Sequence, residues 1–471
     1  MKTSRVLEIF EEITRIPRES GFEAPMTAYL QDFAAKHQLA CKADAVGNVV
    51  ISKPASPGKE NVPTLVFQAH QDMVCEKKPG CSHDFRKDPI QYVIEDGWMV
   101  AKDTTLGADD GIGIATALGI LESDMSMGPI ECLFTTSEET NMNGAENLEA
   151  GFFTGKHLIN IDSEDEGEIY IGCAGGINTV ADFKYEEEYA AGETLKVTIS
   201  GCKGGHSGDD INKDRMNAVQ QMSRLLYPEL SRGLQILHIS GGNKPNAIAY
   251  FCEAVISTPH TFETIDRIQT EAENILKEFH TTDPYVEINV EEYNYYGKAI
   301  EKKVGENLVK AMYICPHGVQ AMSQDIPGLV ETSTNLASVK MESGTVTVTT
   351  SQRSSVTSAR DMISSKVQAV FEAFGADVKT QYPYPGWTPD INSPLKEFCV
   401  KSYRKLFGVD PAVKSIHAGL ECGLFLTMFP DLDMISIGPT LRGVHAPGER
   451  LELASLDKFV ELVNEMVCNF K

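Results

Sequence analysis

The sequence predicts an α/β protein, in which a mostly parallel sheet covered by helices is interrupted by a large inserted α+β domain. Three observations predict it. The chain has 471 residues, too many for one ordinary hydrophobic core. Its first part alternates helix-period segments with almost wholly apolar ones, the pattern of βαβ units. Its last part returns to that alternation after a long stretch of different character.

Taken in order, Ser4 to Ile16 and Ala24 to Lys36 have helical periodicity, and Val46 to Ser52 and Thr64 to Gln68 have strand character. The second of these strands is nearly all apolar, as in a sheet buried on both faces. Gly111 to Glu122 is a small-residue helix suited to close packing on a sheet. Ile130 to Thr135 and His157 to Ile161 are further buried strands. An acidic, Gly-containing stretch around Tyr185 to Glu193 breaks the pattern. Beyond it, strands at Thr194 to Ser200, Ala247 to Ile256, Tyr285 to Val290 and Thr345 to Thr350 alternate with helices at Asp214 to Leu226, Thr264 to Phe279 and Ser358 to Phe374. Tyr382-Pro-Tyr-Pro-Gly-Trp-Thr-Pro389 has the aromatics and prolines of a rigid hinge. Helix Leu395 to Phe407, strand Met434 to Ile437 and helix Ser455 to Phe470 complete the first sheet. The expected division is residues 1–187 and 385–471 as two parts of one domain, with 188–384 inserted between them.

Composition narrows the function. The apolar fraction of 42% and charged fraction of 23% are those of a globular protein. A net charge of −25 argues against a nucleic-acid-binding surface and gives no support for binding anionic membranes. No run of eighteen apolar residues exists, so no membrane span is expected. The N-terminal segment lacks the apolar core and cleavage site of a signal peptide. Eleven scattered cysteines without a Cys-x-x-Cys pair fit reduced thiols of a cytoplasmic protein and make a cysteine–zinc site unexpected.

Five segments carry metal-ligand chemistry. Strand Thr64-Leu-Val-Phe-Gln-Ala runs into His70-Gln-Asp72. Residues i and i+2 of an extended chain share a side, so His70 can bind a metal while Asp72 holds its other ring nitrogen. Alone, the motif is equally a histidine at a strand end capped by a turn aspartate. Leu106-Gly-Ala-Asp109-Asp110-Gly places two aspartates in a Gly-rich turn before a helix, which is either an N-cap or a carboxylate bridging two ions. The apolar run Ile130-Glu-Cys-Leu-Phe-Thr-Thr-Ser ends in adjacent Glu138 and Glu139, like charges that a cation would reconcile. The strand His157-Leu-Ile-Asn-Ile ends in Asp162, and Met434-Ile-Ser-Ile leads toward His445. Ligands gather beyond the carboxyl ends of parallel strands. Two histidines, two aspartates and a glutamate form a hard N/O set suited to two zinc ions sharing one carboxylate.

As a set, Gln68-Ala-His-Gln-Asp-Met-Val74, Thr105-Leu-Gly-Ala-Asp-Asp-Gly111, Thr135-Thr-Ser-Glu-Glu-Thr140, Gly167-Glu-Ile-Tyr-Ile-Gly-Cys-Ala-Gly-Gly176, Lys203-Gly-Gly-His-Ser-Gly208 and His417-Ala-Gly-Leu-Glu-Cys-Gly423 resemble the co-catalytic zinc peptidases. That family includes carnosinases, tripeptide aminopeptidase, glutamate carboxypeptidase and succinyl-diaminopimelate desuccinylase. The resemblance runs end to end, favours the dipeptidase branch, and implies a catalytic domain with an inserted lid and dimerisation domain. It implies that His70 and Asp162 bind one zinc, that Glu139 and His445 bind the other, that Asp109 bridges both, and that the peptide bond from Asp109 to Asp110 is cis. Cobalt or manganese would suit the same ligands. Glu138 is implied as general base and Asp72 as the residue orienting His70. From the inserted domain, His206 is implied to stabilise the oxyanion, Asn246 to lie near the substrate, and Arg353 to grip its carboxylate. Glu421 is a candidate for holding the substrate amine. The activity implied is hydrolysis of unblocked L-dipeptides, including Xaa-His such as carnosine, by a cytoplasmic homodimer. The rivals are a deacylase, desuccinylase or tripeptide aminopeptidase on the same scaffold, a non-catalytic binding protein, and a two-metal phosphoesterase. For the last, no phosphate cradle is evident beside the metal residues.

Overall fold

A computed structural model describes residues 1–471. The chain forms two compact units. One comprises Met1–Gly172, Pro389–Ser415 and Leu420–Lys471; the other comprises Cys173–Thr388 and Ile416–Gly419.

The first unit is built on an eight-stranded sheet. Its centre is parallel: Ile130–Thr135, Leu65–His70, His157–Asn160 and Asp433–Ser436 lie side by side in that order. The flanks are antiparallel, with Val49–Lys53 beside Ile130–Thr135 and Ala40–Ala43 beyond it. Every residue of Leu65–His70 and Ile130–Thr135 is buried, which is why these segments carry no polar alternation. Helix Thr3–Ile13 buries Val6, Ile9, Phe10 and Ile13, one face at helical spacing. Helix Leu453–Asn469 does the same with Leu456, Phe459, Val460, Val463, Met466 and Val467. A smaller sheet pairs Arg450–Glu452 with Trp98–Ala101, Met99 opposite Leu451. It stitches the segment after His445 to the segment before Asp109.

The second unit is an antiparallel sheet ordered Glu287–Glu292, Glu193–Ser200, Cys252–Thr258, Gln235–Gly242, Val330–Glu342, Thr345–Ser354, Gly175–Lys184 and Asp377–Tyr384, with Gly318–Met322 paired to Val330–Glu342. Helices Ala218–Leu226, Thr261–Glu278, Lys302–Ile314 and Thr357–Ala373 contribute Met222, Ile268, Leu308 and Phe371 to the same apolar core as the strands.

Several elements differ from the sequence expectation. The helix expected from Asp214 begins at Ala218, because the Asn217 side chain accepts the Gln220 N–H and caps it there. The helix expected from Gly111 begins at Ala108, with non-helical backbone at Asp109 and Asp110. The strand expected from Ala247 begins at Cys252. Strands Gly175–Lys184, Gln235–Gly242 and Val330–Glu342 and helix Lys302–Ile314 were not predicted. Threonine, serine and asparagine occupy many buried positions of Val330–Glu342, so its apolar signal is weak. The eleven cysteines form no disulfide, and no helix is long and apolar enough to cross a membrane.

Candidate metal centre

The site lies in the first unit, at the carboxyl ends of its parallel strands. His70, the last residue of Leu65–His70, is 1% exposed. Its Nε2 lies 2.8 Å from Asp109 Oδ1 and 3.3 Å from Asp162 Oδ1, and its Nδ1 lies 3.4 Å from Asp72 Oδ1. Burial opposes a charge on this ring, but the carboxylates of Asp162, Asp109 and Asp72 hold its pKa well above the usual value.

Asp72 is fully buried. Its Oδ1 accepts the Glu138 N–H at 3.1 Å, and its Oδ2 accepts the Glu139 N–H at 3.2 Å and the Ser20 hydroxyl at 2.7 Å. One carboxylate thus fixes the backbone of both glutamates and faces His70. Burial resists its ionisation, yet bonds from His70, Ser20 and Glu138 keep its pKa low.

Asp109 presents its two oxygens to different histidines: Oδ1 to His70, and Oδ2 to His445 Nε2 at 3.1 Å. His445 Nε2 is also 2.9 Å from Glu139 Oε2, and bonds to Asp109 and Glu139 push the His445 ring up to about 11. The Asp109–Asp110 peptide is cis. Asp110, given no ligand role from sequence, accepts the His70 N–H at 3.2 Å and the Gly113 N–H at 3.1 Å. A Cβ at Gly113 would sit 2.0 Å from Asp110 Oδ1, so glycine is required there.

The donors fit a divalent cation. His70, Asp110 and Asp162, and separately His70, Asp109 and Glu139, place ligand atoms within 4.8 Å of one another. Glu139 Oε1 is buried without a hydrogen-bond partner. Burial, with neighbouring carboxylates, pushes Glu138, Asp110 and Asp162 well above the usual carboxylate range. Such crowding of acids around two imidazoles is relieved when a cation displaces their protons.

Beneath these residues runs a buried polar network that sequence reading largely missed. Glu421 Oε2 accepts from Thr135 Oγ1 at 2.8 Å and Gln68 Nε2 at 2.7 Å, and Asn160 Nδ2 donates to Gln68 Oε1 at 2.6 Å. Burial pushes Glu421 up to about 7, against the pull of His70. Its Oε1 has no protein partner. Glu23 Oε1 accepts both the N–H and the hydroxyl of Ser137, each at 3.0 Å, steadying the turn before Glu138. Gln68 offered one signal in the sequence, a lone amide in an otherwise apolar strand. Glu23 offered none.

His206, Asn246 and Arg353 belong to the second unit. The His206 N–H donates to Asp210 Oδ2 at 2.9 Å, and its Nδ1 accepts the Asp209 N–H at 3.3 Å. The Asn246 carbonyl accepts the Ser207 N–H at 2.9 Å. Arg353 is 7% exposed, its Nη1 3.4 Å from Tyr384 Oη and its Nε buried without a partner. His417, whose motif was noted without a role, bonds Ser333 Oγ through Nε2 at 2.7 Å. Burial, then the charge of Arg353, lowers its ring to about 3.

Fold and site together define a peptidase, and the chain belongs to peptidase family M20/M25/M40, whose model matches residues 66–469. Among individual proteins, the chain is 36% identical to the cytosol non-specific dipeptidase of Escherichia coli (strain K12) over 98% of this chain and 96% of that protein. The crystal structure of aminoacylhistidine dipeptidase from Vibrio alginolyticus superposes with a TM-score of 0.93 at 35% identity, over 99% of this chain and 97% of that one. Aminopeptidase PepT from Bacillus cereus ATCC 10987, at TM-score 0.58 and 18% identity over 99% and 98% of the two chains, shares the fold.

Proposed function

We propose that the protein is a di-zinc dipeptidase that hydrolyses unblocked L-dipeptides, Xaa-His such as carnosine among them. The observation that carries this is Asp109, whose two oxygens face His70 and His445 separately, as a carboxylate shared by two cations must. Similarity to the Escherichia coli and Vibrio alginolyticus dipeptidases supports the substrate class.

In this reading His70 and Asp162 would hold one ion, Glu139 and His445 the other, and Asp109 would be shared by both. Zinc suits the donors, and cobalt or manganese would be accepted. Bound there, the ions would supply a polarised scissile carbonyl and a more acidic water. Glu138 takes a proton from the attacking water as the water oxygen bonds to the carbonyl carbon. As the carbon–nitrogen bond breaks, Glu138 returns the proton to the leaving amine. Asp72 keeps His70 oriented and, through the two backbone N–H groups, keeps Glu138 and Glu139 aimed. Glu421, with Oε1 free of protein partners, takes the substrate ammonium. Arg353, with Nε unpartnered, takes its carboxylate. His206 serves the oxyanion and Asn246 lies near the substrate; both rest on motif resemblance. A cytoplasmic homodimer is part of the same reading.

The test is hydrolysis by chelator-stripped protein with and without added zinc. Zinc-restored cleavage of carnosine and other unblocked dipeptides, with tripeptides and N-acyl amino acids untouched, supports the proposal. Cleavage of only acylated or longer substrates would transfer the protein to the deacylase or aminopeptidase branch.

A further inference from the structure

The turn that carries Asp109 is gripped from two sides by opposite charges, neither of which the proposed chemistry uses. Four successive backbone N–H groups converge on the Glu449 carboxylate. Leu106 and Gly107 donate to Oε2 at 2.8 and 3.1 Å, and Ala108 and Asp109 donate to Oε1 at 2.9 and 3.4 Å. Successive N–H groups pointing to one place form a nest that favours an anion. Here the anion is a side chain of the protein itself, 2% exposed and four residues beyond His445. The main chain around it is tied to the same region. The Ala101 N–H donates to the Glu449 carbonyl and the Gly448 N–H to the Thr104 carbonyl, both at 2.9 Å.

From the other side comes Arg18, also 2% exposed. Its Nη1 donates to the Asp72 carbonyl at 2.6 Å and the Gln71 carbonyl at 3.2 Å, and its Nη2 donates to the Gly107 carbonyl. The planar guanidinium spans the loop after His70 and the turn before Asp109 with one rigid fork. Gly107 adopts φ +67°, and a Cβ there would lie 2.5 Å from Arg18 Nη2 and 2.8 Å from Met73 Sδ. Only glycine allows this approach.

We propose that Glu449 and Arg18 are positioning residues of the metal centre. They hold the His70–Asp72 loop, the Asp109 turn and the His445 loop in one register, so that Asp109 faces both histidines before any ion arrives. This rests on the reading of Asp109 and His445 as ligands. The charge of Glu449 matters because an amide keeps one acceptor oxygen and turns an NH2 toward two of the four N–H donors. The length matters because aspartate falls one methylene short of the nest.

The experiment compares wild type with Glu449→Gln, Glu449→Asp, Arg18→Met, Arg18→Lys and, as control, Asp109→Asn. Zinc affinity is read by competition with a chromogenic chelator, kcat and KM for a dipeptide at saturating zinc, and folding by circular dichroism. Glu449→Gln and Arg18→Met are expected to weaken zinc binding about 10- to 100-fold, as loss of a group orienting a metal ligand does. Their kcat should fall with little change in KM, and Arg18→Lys should recover part of the loss. Folded variants with zinc affinity and kcat within about twofold of wild type would overturn the proposal, as would a lower melting temperature with zinc affinity intact. If Glu449→Gln does not fold, the Arg18→Met and Arg18→Lys pair decides by the same criteria. If Asp109→Asn leaves zinc affinity unchanged, the ligand assignment itself fails. If Asp109→Asn weakens it and Glu449→Gln does not, only the positioning role fails.

Discussion

The two units treat buried charge in opposite ways. The first collects Asp72, Asp109, Asp110, Glu139 and Asp162 around His70 and His445, an excess of acid that its own cations do not balance. The second places Arg353 in its interior, with its Nε lacking a partner. An uncompensated buried charge is costly. One unit therefore asks for a cation from outside, and the other for an anion or acceptor.

Metal removal should break this contrast most. Stripping zinc is expected to abolish dipeptide cleavage and lower the melting temperature, since a ligand at a thousandfold excess over its Kd stabilises by about 4 kcal/mol. Unchanged activity and melting after exhaustive chelation would show that the acidic cluster is self-sufficient. Next, Glu138→Gln should lower kcat by about 10²- to 10⁴-fold while zinc stoichiometry stays at the wild-type value. A variant that keeps zinc and full turnover refutes the role as base.

Arg353→Met sharpens the other side. It should reduce kcat/KM by roughly 10- to 100-fold, the worth of a hydrogen bond to a charged group, with zinc affinity unchanged. A loss confined to zinc binding would place Arg353 with the structural charges instead.

The smallest effect concerns His317, in the second unit. Its Nδ1 accepts the Leu336 N–H at 3.2 Å, which a protonated ring cannot do, and burial lowers its pKa to about 4. The unfolded ring takes a proton near pH 6.5 while the folded ring does not. Stability is therefore intact above that pH and lost as pH falls toward 4. The ring keeps some solvent contact, so the loss is at most about 3 kcal/mol. Urea unfolding between pH 7.5 and 4 should show a steeper decline for wild type than for His317→Gln, and parallel curves would remove His317 as the cause.

The legible parts of the chain were those written in local pattern. His70, Glu138, Glu139 and Asp162 stand at the ends of apolar runs, and a parallel sheet brings such ends together, so their proximity follows from the strands themselves. Helix Ala24–Lys36 and strand Ile130–Thr135 have the bounds their periodicity gives. The antiparallel strands of the second unit were harder, since buried Thr334 and Gln352 bond each other through their side chains and buried Asn335 donates to the Pro245 and Ala247 carbonyls, and such polar residues dilute the apolar signal.

What the sequence determined by itself is therefore the class of chemistry, because ligand types and strand ends are local features. What only the tertiary structure decided is how those ligands are held. Glu449 grips the N–H of Asp109 across 340 residues of chain, Glu421 meets Gln68 across 353, and Arg18 reaches Gly107 across 89. No spacing rule encodes such pairs, for a hydrogen bond depends on where two atoms arrive in space and not on how far apart they lie along the chain.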